Sequence, residues 1–145
     1  MSLHLLKLCV GAESVDDLKG WIKKRLAEKK KKGEKPEHIH VTRMAPKRDE
    51  ELLDGGSLYW VIRGQIMCRE PLRAIRPYRD KEGIGRCRLV LGPKIVLVEP
   101  RPFRAFQGWR YLAEKDAPRD LDRAAPGARN MPEELRRELR GLGLL

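Results

Sequence analysis

The sequence predicts an α+β domain: a small, partly closed, mostly antiparallel β-barrel with two or three flanking helices. Three observations carry this reading. A capped amphipathic helix follows an opening apolar run. From Ser57 onward, short apolar segments alternate with turn residues, as in an all-antiparallel sheet. Gly64 interrupts a long apolar stretch, as a bend at a barrel corner does. The 145 residues fit one domain, assigned to 1–112, with 113–145 as a Pro/Ala/Arg-rich wrap and a short terminal helix packed on it.

Leu3 to Val10 is apolar apart from Lys7 and reads as a central strand. Ser14 and Asp17 form the S-x-x-D pattern of a capped helix start, and Asp16 and Asp17 complement the helix dipole. Val15, Leu18, Trp21, Ile22 and Leu26 recur at helical spacing; helix formers continue to Lys32, and Gly33 and Pro36 end them. Lys29 to Lys32 therefore form a solvated helix end, with phosphate contact as the alternative role. His38 to Arg43 alternates as a strand, with Ile39 and Val41 on one face and His38, His40 and Thr42 on the other. An H-x-H pair without a third ligand nearby predicts no metal.

Pro46 suits the start of a short helix, Lys47 to Leu53, closed by Asp54-Gly55-Gly56. Ser57 to Arg69 is the strongest strand. Its core face would hold Leu58, Trp60, Ile62, Ile66 and Cys68, and its other face Tyr59, Val61, Arg63, Gln65, Met67 and Arg69. Leu72 to Tyr78 continues as strand, and Pro77 marks an edge. Arg86 to Leu91 and Ile95 to Glu99, joined at Gly92-Pro93, read as a hairpin. Pro132 opens a last helix with Leu135 and Leu139 one turn apart.

Charge narrows the function classes. Lys and Arg number 32 against 21 Asp and Glu, a balance of +11. Of 13 lysines, 10 lie at or before Lys47, whereas 17 of 19 arginines lie at or after Arg48. Lysine is a hydrated point charge, and arginine a planar fork that suits phosphate and stacked bases. Between Val41 and Leu112 there are 15 basic and 8 acidic residues, so the excess sits in the strand-rich middle. Cys9, Cys68 and Cys87 are odd in number and lack C-x-x-C spacing, which predicts free thiols in a reducing cytoplasm. Met1 to Val10 has no signal-peptide pattern, and no apolar run is long enough to span a membrane.

The runs Gly55-Gly56-Ser57-Leu58-Tyr59-Trp60-Val61-Ile62-Arg63-Gly64 and Phe106-Gln107-Gly108-Trp109-Arg110-Tyr111-Leu112, with the opening Lys7-Leu8-Cys9-Val10-Gly11, carry a resemblance. The chain resembles a bacterial, largely alphaproteobacterial family catalogued as domain of unknown function 1489, from Met1 to about Leu121. The resemblance implies a cytoplasmic bacterial context and no activity. A more distant likeness is to PUA/ASCH-like barrels, which often bind RNA or modified bases. Gly56 and Arg63 match their G-x-K-x-x-E-x-R pattern, but Leu58 replaces its lysine and Val61 its glutamate, so lysine-based amidohydrolase chemistry is not implied.

No P-loop, G-x-S-x-G, H-E-x-x-H or paired-carboxylate motif occurs, so the sequence points to binding rather than catalysis and implies no cofactor. Interleaved aromatic and basic residues suit unpaired nucleotides, whose bases stack while cations follow the phosphates. The expected function is nucleic-acid binding, RNA favoured, or nucleotide binding. Arg43, Arg48, Arg63 and Arg69 would contact phosphates, Tyr59 and Trp109 would stack, and Gln107 and Arg110 would read polar edges. The alternatives are a protein-interaction module that pairs its arginines with an acidic partner, and a small-molecule enzyme that uses the same groove.

Overall fold

The opening apolar run forms β1 (Leu3–Leu8), which lies between β3 (Ser57–Ile62), parallel to it, and β7 (Trp109–Ala113), antiparallel. Both faces of this central strand are also covered by packed layers. Leu3 and Leu5 accordingly enter one hydrophobic core and Leu6 a second core on the other face. The computed structural model describes residues 2–121. The helix expected from Pro132 lies outside them. Of the segment 113–145, Ala113 ends β7, a 3₁₀ turn spans Glu114–Asp116, and Asp120 bridges Val98.

Ser14 caps α1 (Val15–Lys31) as its pattern predicts: its side chain accepts the Asp17 backbone N–H at 3.0 Å. Val15, Leu18 and Ile22 are buried on the first core, each contributing roughly 1.5–3 kcal/mol of apolar transfer. The short helix before β3 is α2 (Asp49–Leu53), two residues later in its start than expected. Its Leu52 is fully buried. Among the described residues no helix is long and apolar enough to cross a membrane.

β2 (His38–Thr42), β4 (Gln65–Arg79), β5 (Gly85–Leu91) and β6 (Val96–Pro102) complete a seven-stranded sheet in the order β2-β5-β4-β3-β1-β7, with β6 pairing β4. The α+β class and the largely antiparallel pairing are as expected. The barrel closure is not: β2 and β7 stand at opposite ends of an open sheet. Gly64 does not make the barrel corner expected of it either. It is not a mid-strand bend but part of a two-residue hairpin turn, with Arg63 at φ 51° and Gly64 at φ 78° and Ile62 paired to Gln65. Both central residues at positive φ make a type I′ turn, whose twist matches that of antiparallel strands. The expected long strand is thus two strands.

The register shift between Trp60 and Val61 also moves Ile66 to the face of Tyr59 and Val61, away from Trp60. The hairpin expected at Gly92-Pro93 is a second correction. β5 and β6 do not pair with each other; both run antiparallel to β4, β5 along Leu72–Arg79 and β6 along Gln65–Arg69. Gly92 donates its N–H to the Pro71 carbonyl at 2.8 Å, so the chain jogs and continues rather than reversing. Pro77 lies in the half of β4 that pairs with β5 alone, consistent with an edge.

Candidate functional site

The two ends of the open sheet are joined by side chains of β7. Alternation places Trp109 and Tyr111 on one face of that strand, with their rings 4.9 Å apart and edge-on. Trp109 Nε1 donates to the Met44 carbonyl at 2.7 Å. The backbone N–H groups of Lys47 and Arg48 donate to the Tyr111 hydroxyl oxygen at 3.0 and 3.3 Å. The loop after β2 is therefore clamped onto β7. Arg48 caps the clamp from outside: its guanidinium sits 5.5 Å over the Tyr111 ring and pairs with Glu51.

Under the clamp runs a cleft of about 480 Å³, lined by Lys7, Arg43, Met44, Arg86, Gln107 and Trp109, among others. Lys7 and Val41 also line an adjoining pocket of about 210 Å³, which extends inward past Trp21, Arg25, His40 and Trp60. The two spaces adjoin at Lys7 and Val41, and we treat them together as a depression. Its described lining carries Lys7, Arg25, Arg43 and Arg86 and no carboxylate. Arg86 is held by Asp80 at 2.7 Å. Lys7 and Arg43 have no ion-pair partner among the described residues. Burial pushes the Lys7 ammonium below its ordinary pKa, because water no longer solvates it fully.

The histidine face of β2 turns inward, and a buried acid is the reason. Glu70 is fully buried and accepts the Trp60 indole N–H at 2.9 Å, while its other oxygen lies 2.8 Å from His38 Nδ1. His40, next on the same face, lies edge-on to Trp60 at 5.2 Å. Burial, then the positive charges of Lys7, His38 and Arg25, push the His40 imidazole down from 6.5 to about 4. A histidine with a lowered folded pKa takes up its proton more readily when unfolded. Its contribution to stability is therefore intact above about pH 6.5 and lost as pH falls towards about 4. Urea unfolding at pH 7 and pH 5 should show a loss of stability on acidification that shrinks in His40→Phe. An equal loss in the variant would assign the dependence to other groups. Cys9, half-buried at the rim, is pushed up to about 11 by burial and then by Glu70, so it stays a thiol rather than a nucleophile.

The profile of a protein family of unknown function, DUF1489, matches residues 5–145. The chain belongs to the DUF1489 family. No curated protein and no solved structure shows significant similarity to it.

In this DUF1489 chain, three of the sequence-nominated residues, Arg43, Gln107 and Trp109, share the cleft. Arg48 lies beside it, on the outer side of the clamp. The others are elsewhere. Tyr59 is 4% exposed in the second core, edge-on to His4, because the strand it faces carries a second apolar layer rather than solvent. Burial pushes its hydroxyl up to about 12. Arg69 is bound by both oxygens of Asp120 at 2.9 Å and by the Ser57 hydroxyl. Arg63 occupies the β3–β4 turn. Arg110 points from the opposite face of β7 and stacks 4.7 Å over Phe106. The sequence reading missed Lys7, Trp21, Arg25 and His40 as lining residues. A lysine inside an otherwise apolar strand was the one visible signal.

A second recess, about 510 Å³, gathers His4, Tyr59, Arg69, Glu114 and Asp120. It holds no spare base at His4. The ring's Nδ1 accepts the Ser57 backbone N–H, which leaves Nε2 as the protonated nitrogen, and that nitrogen contacts Glu114. Both nitrogens are committed.

Proposed function

We propose that the chain binds single-stranded nucleic acid, RNA in preference to DNA, along the cleft between the 43–48 loop, β7 and β1. The observation that supports this is the depression's charge: four cations line it and no carboxylate among the described residues does. Such a surface favours a polyanion and disfavours an acid-rich interior of its own. Lys7 and Arg43 are the phosphate contacts. Gln107, exposed at the cleft, offers a donor and an acceptor to a base edge. Trp109 is half-buried, with its N–H engaged, so its ring is the part available for stacking. Arg48, Arg69, Arg76, Arg86 and Arg119 have carboxylate partners in this fold, so Lys7, Arg25 and Arg43 carry the lining's charge that no described carboxylate pairs.

The test is binding of a labelled mixed-sequence RNA strand by fluorescence anisotropy across a salt series. Affinity should fall steeply with salt, and Arg43→Ala should reduce the logarithmic slope by about 0.7, the value of one phosphate contact on a single strand. Absence of binding at low salt, or an unchanged slope in Arg43→Ala, overturns the reading. Tighter binding to an acidic peptide than to RNA favours the protein-partner alternative instead.

A further inference from the structure

We propose that the inner pocket receives one unpaired nucleobase of the bound strand, whose polar edge is met by Nε2 of His40. This rests on the nucleic-acid reading and states what the site reads.

The pocket's size selects a single ring system. Its volume of about 210 Å³ lies below the roughly 300–1,000 Å³ of sites that take drug-sized ligands. Its walls suit a flat apolar body. Leu18 and Trp60 are both buried on its inner side, and Trp21, 38% exposed, stands on its outer side. Trp21 is an amphipathic-helix residue that the core does not absorb. The Arg25 guanidinium lies 5.8 Å from its ring centroid, and the indole also packs against Gly11, at φ 93°, where a Cβ would come within 2.7 Å of it. The glycine lets the indole close against the segment after β1 and form a wall.

The polar requirement is specific. His40 Nε2 is buried and meets no hydrogen-bond partner among the described residues. A buried polar atom left so is costly, and a ligand that supplies a partner recovers that cost. The ring is fixed edge-on against Trp60, so the nitrogen has a set direction. Burial and the surrounding cations keep the imidazole neutral near pH 7. A neutral ring nitrogen is a donor or an acceptor according to tautomer, and base edges offer both. An anionic group would call for a charged partner here. Those partners, Lys7 and Arg25, also line the pocket, and Lys7 is shared with the outer cleft, where the flanking phosphates would run. A base inside and its backbone outside is the arrangement that uses every one of these groups.

The experiment compares an abasic 8-mer carrying one central base with a fully abasic 8-mer of the same charge, on the wild-type chain and on Trp21→Ala and His40→Ala. Thermal melting verifies that each variant folds; Trp21→Ala is the safer because its side chain is partly exposed. The wild type should bind the base-bearing strand roughly 5- to 100-fold more tightly than the abasic one, the range of one stacked base. Trp21→Ala and His40→Ala should lose most of that difference and leave abasic binding unchanged. Equal, salt-sensitive binding of both strands by the wild type overturns the pocket assignment while leaving the nucleic-acid reading standing. So does a Trp21→Ala variant that retains the full difference. No binding of either strand at low salt overturns both.

Discussion

Glu70→Ala should cost about 3–5 kcal/mol of folding stability, because it leaves two buried nitrogens without a partner, at roughly 1–3 kcal/mol each, and opens a void. Glu70 is 0% exposed and receives Trp60 Nε1 on one oxygen and faces His38 Nδ1 with the other. Its removal strands two buried nitrogens and leaves a void between β2, β3 and β4. A domain of this size has roughly 5–15 kcal/mol in total, so the loss is a large share of it. The melting temperature should drop on the order of 10 °C. Glu70→Gln keeps the volume and an acceptor for Trp60, and His38 can take the other tautomer towards the amide. Its cost should be about 1–2 kcal/mol. Urea unfolding of both variants checks this. Equal midpoints for Glu70→Ala and the wild type would show that the three side chains do not depend on one another.

Gly56→Ala should be as damaging, for a steric reason. Gly56 is wedged where α2 meets β1: a Cβ there would lie 2.2 Å from the Leu52 carbonyl oxygen and 2.3 Å from that of Leu3. Both are backbone atoms, so no side chain can swing aside. The Gly56 N–H is also bonded to Leu52 and its carbonyl to Leu72, which pins the residue from two sides. Overpacking of this kind costs about 3 kcal/mol or more when its neighbours cannot move. Gly64→Ala is the matched control. Nothing lies within 4 Å of its added Cβ, and only its φ of 78° opposes alanine, at roughly 1–2 kcal/mol. Thermal melts should therefore rank Gly56→Ala well below Gly64→Ala. The reverse order would mean that α2 yields to the methyl group.

These two positions also show how the sequence could and could not be read. The Gly-Gly pair before β3 was visible as a helix stop, but its second glycine is required by contact with β1, more than fifty residues away in the chain. Local patterns placed α1 and its cap, β1, β2 and β5 well, because burial there follows the period of a single element. They failed at Gly64, where an Arg-Gly pair at positive φ was read as a bend, and so two strands were read as one. That error put Arg63 on a strand face when it sits in a turn, and it hid the register shift that moves Ile66 to the face of Tyr59.

The inward histidines were unreadable for a related reason: their partner, Glu70, looked like one more strand charge until the fold buried it. Arg69 and Arg110 illustrate the limit of charge counting. Each was legible as a cation, but Asp120 and Phe106 occupy them. Arg43 and Gln107 reach the cleft because both lie outside the strands, Arg43 just past the strand it was read into, and loop side chains face outward by default.

The pairing of β1 with β7 sets Leu3 opposite Ala113 and Lys7 opposite Trp109. During synthesis β1 emerges before β7, and its second edge stays bare until about a hundred further residues have followed. The parallel contact with β3 is itself long-range, and pairings that close large loops form slowly. A nascent chain halted before Trp109 would expose an apolar strand edge, the kind of edge that recruits other chains. Trp109 and Tyr111 then arrive together, completing the sheet and fastening the 43–48 loop. The cleft, whose lining includes Trp109, therefore comes into being in the same step that covers β1.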